Sequence, residues 1–314
     1  MLNSKMLYDT ISEQAENDAA FFSSFTEKTK DRLASDQSLQ KTTKGLFADF
    51  VLYQKAKECT LYYLDASIAN QILHSETENP SFAEFKKFKT ENNKVFIEFS
   101  EAIPIPDAWK NPEKPADYFD FIKAIQIVWN TKEEIQDLLQ TNEIPLILSE
   151  ENCTIGIWSC LGGEDIKNLD ISSLAGFYPS HKMRMIIANQ TRNVIFTEKV
   201  VEGAEWDETS ILPTIYRFLS FVSSENVKYK NQKRKIASDK KLPLYARKER
   251  KSALVPFLEE TPELEGNSII PNANPKEASV VKASSVKRGD SRFWIPQYYK
   301  DSKELTDESK KLLK

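Results

Sequence analysis

Cysteine, histidine and glycine are scarce in this chain, with 3, 2 and 8 copies respectively among 314 residues. Each shortage removes a class of function. The cysteines Cys59, Cys153 and Cys160 form an odd, sparse set, so no disulfide framework is implied and a reducing compartment fits. Cys153 and Cys160 flank an expected strand an odd number of residues apart, which assigns them to opposite sides of it. The histidines His74 and His181 have no closely spaced Cys or His companion, so a zinc site is not expected. A Ser or Cys nucleophile would need a paired base, and no local motif supplies one. The pair Gly162-Gly163 has no Lys-Ser/Thr after it and reads as a turn rather than a phosphate loop. No cofactor motif emerges. Apolar runs of the ~18 residues that a membrane helix needs are also missing. The opening Met1-Leu2-Asn3-Ser4-Lys5 has no apolar core of a signal peptide, so the expected location is cytoplasmic. No internal repeat is visible.

What is present suffices for a sizeable core: 40% of residues are hydrophobic and 29% charged, with 18 Phe dominating the aromatics. The net charge of −4 is unevenly spread. Lys228 to Lys251 holds eleven basic residues against two acidic ones, a net +9, which leaves −13 on the rest. An acidic body with one basic segment is a sharper clue than the mean.

The pattern predicts an α+β fold, with N-terminal helices packed on a mixed or antiparallel sheet. Residues 4–35 read as a helix through Met6, Leu7, Ile11, Ala15, Phe22 and Phe25, and 43–64 as a second helix through Leu46, Phe50, Val51, Leu61 and Leu64. Asp65 is placed to cap a short following helix with Ile68, Ile72 and Leu73 inward. Lys94–Phe99 reads as a strand, with Val95, Ile97 and Phe99 on one face and Phe96 and Glu98 on the other, stopped by Ile103-Pro104-Ile105-Pro106. Residues 118–129 suit a helix capped by Asp117, but their density of Phe, Ile, Val and Trp favours a strand. Thr131 and Glu134 have capping-box spacing for a helix through Leu139. Pro145–Leu148 and Thr154–Ser159 are further strands. Met183–Ala188 and Val194–Glu198 suggest a hairpin. A last helix follows Asp207, with Pro213 in its first turn and Ile211, Leu212, Ile215, Tyr216, Leu219 and Val222 on its apolar face. The expected organisation is a globular body over 1–227, a basic-then-acidic linker or arm over 228–285, and a C-terminal aromatic docking segment with a short helix over 286–314.

Two electrostatic features invite functional readings. Lys233, Arg234, Lys235, Arg247, Lys248, Arg250 and Lys251, interleaved with Tyr229 and Tyr245, suit a phosphate backbone with stacked bases, giving an RNA-binding reading. The same segment also suits a solvated linker that neutralises the acidic body. Glu98, Asp120, Glu151 and Glu198, on or near expected strands, are the residues a metal-dependent nuclease would use, although 47 acids make such placements easy by chance. A metal is not expected, and the balance is against an enzyme.

Three ordered stretches carry a resemblance. They are Thr60-Leu61-Tyr62-Tyr63-Leu64-Asp65 through Ile72-Leu73 with the strand Val95–Phe99; Leu212-Pro213-Thr214-Ile215-Tyr216-Arg217-Phe218-Leu219 into Asn226-Val227-Lys228-Tyr229-Lys230; and Val286-Lys287-Arg288-Gly289-Asp290-Ser291-Arg292-Phe293-Trp294. In order and spacing the chain resembles the type V-A anti-CRISPR family, inhibitors that suppress biogenesis of the type V effector nuclease, and its phage, plasmid and bacterial relatives. Asp290 and Ser291 stand where that family carries His-Trp, so no role of those histidines carries over. The resemblance implies a non-enzymatic, mobile-element-type regulator without a cofactor. Such a regulator engages a target protein, its nascent chain or its mRNA, a type V CRISPR nuclease being the family's case, and no membrane. Arg and aromatic side chains supply most interface energy, which nominates Arg288, Arg292, Phe293, Trp294 and Tyr298 as the partner-binding residues. The alternative for Phe293, Trp294 and Tyr298 is packing onto the protein's own body.

Overall fold

The computed structural model describes residues 6–33, 35–36, 50–76, 93–104, 121–139, 151–160, 169–177, 182–189, 199–202, 211–234, 250–258, 280–288, 291–299 and 305–310. Alternation in one strand, β2 (Lys94–Pro104), sorts the core into two halves. Val95, Ile97 and Phe99 point into one apolar cluster, while Phe96 points into the other. The neighbouring β3 (Phe121–Thr131) repeats the division, sending Ile125, Ile127 and Trp129 to the first cluster and Ala124 and Val128 to the second. A strand buried on both faces needs apolar residues at successive positions, and 118–129 was dense enough to favour that reading.

Nine strands form one sheet in the order β7-β6-β5-β4-β3-β2-β1-β9-β8. The others are β1 (Thr60–Leu64), β4 (Glu151–Cys160), β5 (Leu169–Phe177), β6 (Lys182–Asn189), β7 (Lys199–Glu202), β8 (Val227–Gln232) and β9 (Ala253–Leu258). β1 is parallel to β2 and β9; the remaining ladders are antiparallel, so the sheet is mixed and the fold is α+β. One face carries α1 (Leu7–Leu33) and the helical residues 50–55; the other carries α2 (Ala66–Leu73) and α4 (Ile211–Val222). A further helix, α3 (Lys132–Leu139), leaves the end of β3. No helix among the described residues is long and apolar enough to cross a membrane.

Local chemistry sets several boundaries where expected. The Asp65 carboxylate accepts from the Ser67 N–H at 3.0 Å, and the Ser100 hydroxyl accepts from the Ala66 N–H at 2.8 Å, together satisfying the start of α2. At α3 the Glu134 N–H donates to Thr131 Oγ1 at 3.2 Å and the Thr131 N–H donates back to Glu134 Oε2 at 2.8 Å, a reciprocal capping box. At the bulge in β2 after Glu98, the Phe99 and Ser100 carbonyls both accept from the Lys123 ammonium. Gly156 of β4 lets the 50–55 segment close onto the sheet: a Cβ there would stand 2.7 Å from Leu52 Cδ1.

Three expectations are corrected. The helix assigned to 43–64 ends in a 3-10 turn at Ala56–Glu58, and Thr60–Leu64 is the strand β1. Leu61 faces one cluster and Tyr62 and Leu64 the other, and a strand buried on both sides imitates a continuous helical stripe. The linker over 228–285 contains two sheet strands, β8 and β9. Val227 is buried while Lys228 and Lys230 are exposed, so this edge strand reads as polar; Pro256 inside β9 disguised the second. The strand paired with β6 is Lys199–Glu202; Val194–Glu198, Pro145–Leu148 and Gly162-Gly163 lie outside the described residues. Strand β5 was not anticipated.

The C-terminal part forms two small ladders, β11 (Ser284–Arg288) with β12 (Ser291–Ile295) and β10 (Val280–Val281) with β13 (Tyr298–Tyr299), then a helical turn, α5 (Asp307–Lys310). Ser309 donates to the Gln71 side-chain oxygen at 2.9 Å, tying that turn to α2.

Candidate partner surface

The surface is built on α4. Its residues Ile215, Phe218, Leu219, Phe221 and Val222 are buried against the sheet, and Tyr216 and Phe221 also meet the β11–β12 hairpin. The Trp294 indole is fully buried and meets the Phe221 ring edge-on, 5.1 Å between centroids at 90°. Its backbone is held as well: the Asn226 side-chain oxygen accepts from the Trp294 N–H and the Asn226 amide donates to the Trp294 carbonyl, both at 2.8 Å. The Glu225 N–H donates to the Arg292 carbonyl at 2.8 Å. On the far side of the hairpin, the Glu76 N–H donates to the Ala283 carbonyl at 3.0 Å. Arg292 donates to the Tyr216 hydroxyl at 2.6 Å with its guanidinium 5.3 Å from that ring. The hairpin is thus clamped along both edges.

Cross-strand pairs share a face, so Ser285 sits with Trp294, and Arg292 with Lys287, toward α4. Val286 and Phe293, paired with each other, occupy the opposite face with Ile295, and all three are half-buried. Among the nominated partner residues, Trp294 is therefore a correction: its side chain packs inside the body and is out of reach of a partner. Arg292 serves the same docking. Phe293 stays on the outer face, Tyr298 is half-buried on β13, and Arg288 pairs with Ser291 at the hairpin end.

Part of the basic segment is spent on the protein itself. Arg234 grips both Asp9 oxygens, at 2.7 and 2.9 Å, with the two side chains 0% and 4% exposed. Arg250 meets Glu13 at 2.8 Å. The Lys251 ammonium donates to the Lys57 carbonyl at 2.8 Å and to the Cys59 carbonyl. These three fasten α1 and the turn before β1 to the ends of β8 and β9, and Arg234, buried on Asp9, is corrected from its assignment to nucleic-acid contact. Lys233 is exposed; Lys235, Arg247 and Lys248 lie outside the described residues.

The acids behave likewise. Glu98 is buried and caps α1: the Leu7 N–H donates to Oε1 at 2.8 Å and the Tyr8 N–H to Oε2 at 2.9 Å. Burial pushes its carboxyl up to about 7, against the opposing pull of those two N–H groups and of Lys123. Asp120 and Glu198 lie outside the described residues, and Glu151 stands first in β4. Among the described residues, no group of three or more His, Cys, Asp or Glu is placed to hold a metal ion. His74 closes α2 as its C-cap; His181 lies outside the described residues. Cys59 is buried, and burial pushes its thiol up to about 12, which keeps it protonated and inert. Asp9, Tyr216, Glu225 and Asn226 do the positioning; Asp9 and Glu225 escaped sequence reasoning, and the docking roles of Tyr216 and Asn226 were not foreseen, because each acts on a distant partner. No protein-family model, curated protein or solved structure matches the chain.

Proposed function

We propose that this chain is a binding protein without chemistry of its own, a regulator that engages a target protein or its message and lowers the amount of that target, as the type V-A anti-CRISPR inhibitors it resembles do. The observation that carries the reading is the clamped C-terminal hairpin. Its inner face is spent on Trp294 and Arg292, and its outer face holds Phe293, Val286 and Ile295 in a fixed, half-exposed row. A rigid apolar anchor of this kind loses little entropy on binding. An RNA-binding reading would have to do without Arg234, whose guanidinium is buried on Asp9.

The test is co-expression with a type V effector nuclease, following its protein and mRNA levels. The expected outcome is a fall in both with the wild-type chain, absent for an unrelated message. A Phe293→Asp, Val286→Asp double variant loses that effect while its thermal midpoint stays within a few degrees. An unchanged effector level with the wild-type chain refutes the proposal.

A further inference from the structure

A helix leaves its first N–H groups without acceptors of its own. At the start of α1 one side chain of the sheet meets two of them. Glu98 of β2 accepts from the Leu7 N–H with one oxygen and from the Tyr8 N–H with the other, while Asp9 accepts from the Met6 N–H at 3.1 Å. Glu98 is only 2% exposed. The cations that face this junction are engaged elsewhere. Arg234 bonds Asp9, the Lys123 ammonium of β3 donates to the Phe99 and Ser100 carbonyls, and the Lys251 ammonium donates to the Lys57 and Cys59 carbonyls. None of them forms an ion pair with Glu98 among the described residues. Two hydroxyls also face it, Tyr8 on α1 and Tyr63, which lies opposite Glu98 on β1; burial pushes both up and keeps them neutral. A carboxyl shut from water without a counter-ion holds its proton more tightly than a free one does. The proton is therefore tied to the docked helix, because lifting α1 returns Glu98 to water.

We propose that the junction of Glu98 with the first turn of α1 is a proton-controlled latch, which holds the helix on the sheet while Glu98 keeps its proton and lets it lift, with the rest of the fold intact, as the proton leaves. The topology permits a separate release. The ladders of β1, β2 and β3 and the apolar cluster on the opposite face include no residue of α1. The buried Met6, Leu7, Tyr8 and Ile11 and the Asp9–Arg234 pair set how hard the helix is to lift; Glu98 sets how that varies with pH. The docked carboxyl is held up at about 7 and the free one titrates at 4.5. The docked state carries the raised value, so the hold is full below about 4.5 and is lost as pH rises to about 7. Acid tightens the latch and neutral pH loosens it. Glu13, on the same helix, is bonded to Arg250 in a more exposed place and is no part of the device. The latch is separate from the hairpin surface, whose Trp294 packs in the opposite cluster.

The experiment follows amide hydrogen exchange of the full chain by mass spectrometry from about pH 5 to about pH 7, with each rate referred to the intrinsic rate at that pH to give a protection factor. Peptides over the first turns of α1 are compared with peptides over β3. Protection of α1 is expected to be lower than that of β3 at every pH and to fall by about tenfold or more from the acid to the neutral end. Glu98→Gln has no proton to lose and is expected to remove that fall, whereas Glu13→Gln is expected to leave it in place. The comparison of the two regions in the wild-type chain decides the matter even if Glu98→Gln does not fold. Three results overturn the proposal: equal protection of α1 and β3, which means that the helix leaves only when the whole chain unfolds; protection of α1 that does not change with pH; or a fall that persists in Glu98→Gln.

Discussion

Replacing Trp294 with alanine separates packing from partner contact. The indole is fully buried beside Phe221, so its removal leaves a void that the clamped hairpin cannot collapse to fill. Large aromatic-to-alanine changes in cores cost about 3–5 kcal/mol. Among the described residues the indole Nε1–H has no hydrogen-bond partner, so the contact counted in this loss is apolar. The two Asn226 bonds go to the backbone of residue 294 and survive the substitution. For a chain of this size the midpoint of thermal unfolding should fall by on the order of 10 °C. Trp294→Phe, which keeps part of the edge-on contact, should fall by clearly less. Circular dichroism melts of the three proteins read the effect. An alanine variant that melts with the wild type but no longer affects a target would refute the argument and return Trp294 to the partner surface.

Asp9→Asn leaves the Arg234 guanidinium buried without its counter-charge and should cost about 3–5 kcal/mol by urea unfolding, whereas Glu13→Gln at the more exposed Arg250 pair should cost under about 1 kcal/mol. Glu98 makes stability depend on pH: its folded carboxyl, raised from 4.5 to about 7 by burial, holds a proton more tightly than the unfolded chain does. Its contribution is therefore fully present below about 4.5 and is lost as pH rises to about 7; the full span is worth about 3 kcal/mol, and Glu98→Gln should flatten that slope in denaturant titrations between those limits. Thr131→Ala removes one arm of the capping box and should lower stability by about 1 kcal/mol.

Parts of this fold are legible because their causes are local. The alternation in Lys94–Phe99 names both faces of β2, and the spacing of Thr131 and Glu134 names a helix start, since each interaction lies within a few residues of its partner. The short helix behind Asp65 and the proline-tolerant first turn of α4 are read the same way. Thr60–Leu64 misleads because a strand apolar on both faces, placed after a real helical segment, has the composition of that helix's continuation. The basic stretch misleads differently. Its charges look like solvent-facing ones because their partners are remote: Arg234 meets Asp9 across 225 residues, and Asn226 meets Trp294 across 68.

That remoteness also shapes the division of labour on the surface. The C-terminal hairpin returns to the body and must meet it with one face, so its largest residue, Trp294, goes inward and the less bulky pair Val286 and Phe293 is left outside. In the basic stretch the order of burial is reversed, with Arg234 drawn inside by Asp9 while Lys228, Lys230 and Lys233 stay at the rim of β8. Residue type alone therefore ranks these positions wrongly: the strongest hot-spot types, Trp294, Arg234 and Arg292, hold the fold together. The residues opposite Trp294 and Arg292 on the hairpin, Phe293 and Val286, are the ones left half-buried on its outer face. An alanine scan confined to Trp and Arg is thus expected to report stability losses, whereas Phe293→Asp, on the outer face of the hairpin, is expected to leave both clamps in place, as thermal melts of the variants would read.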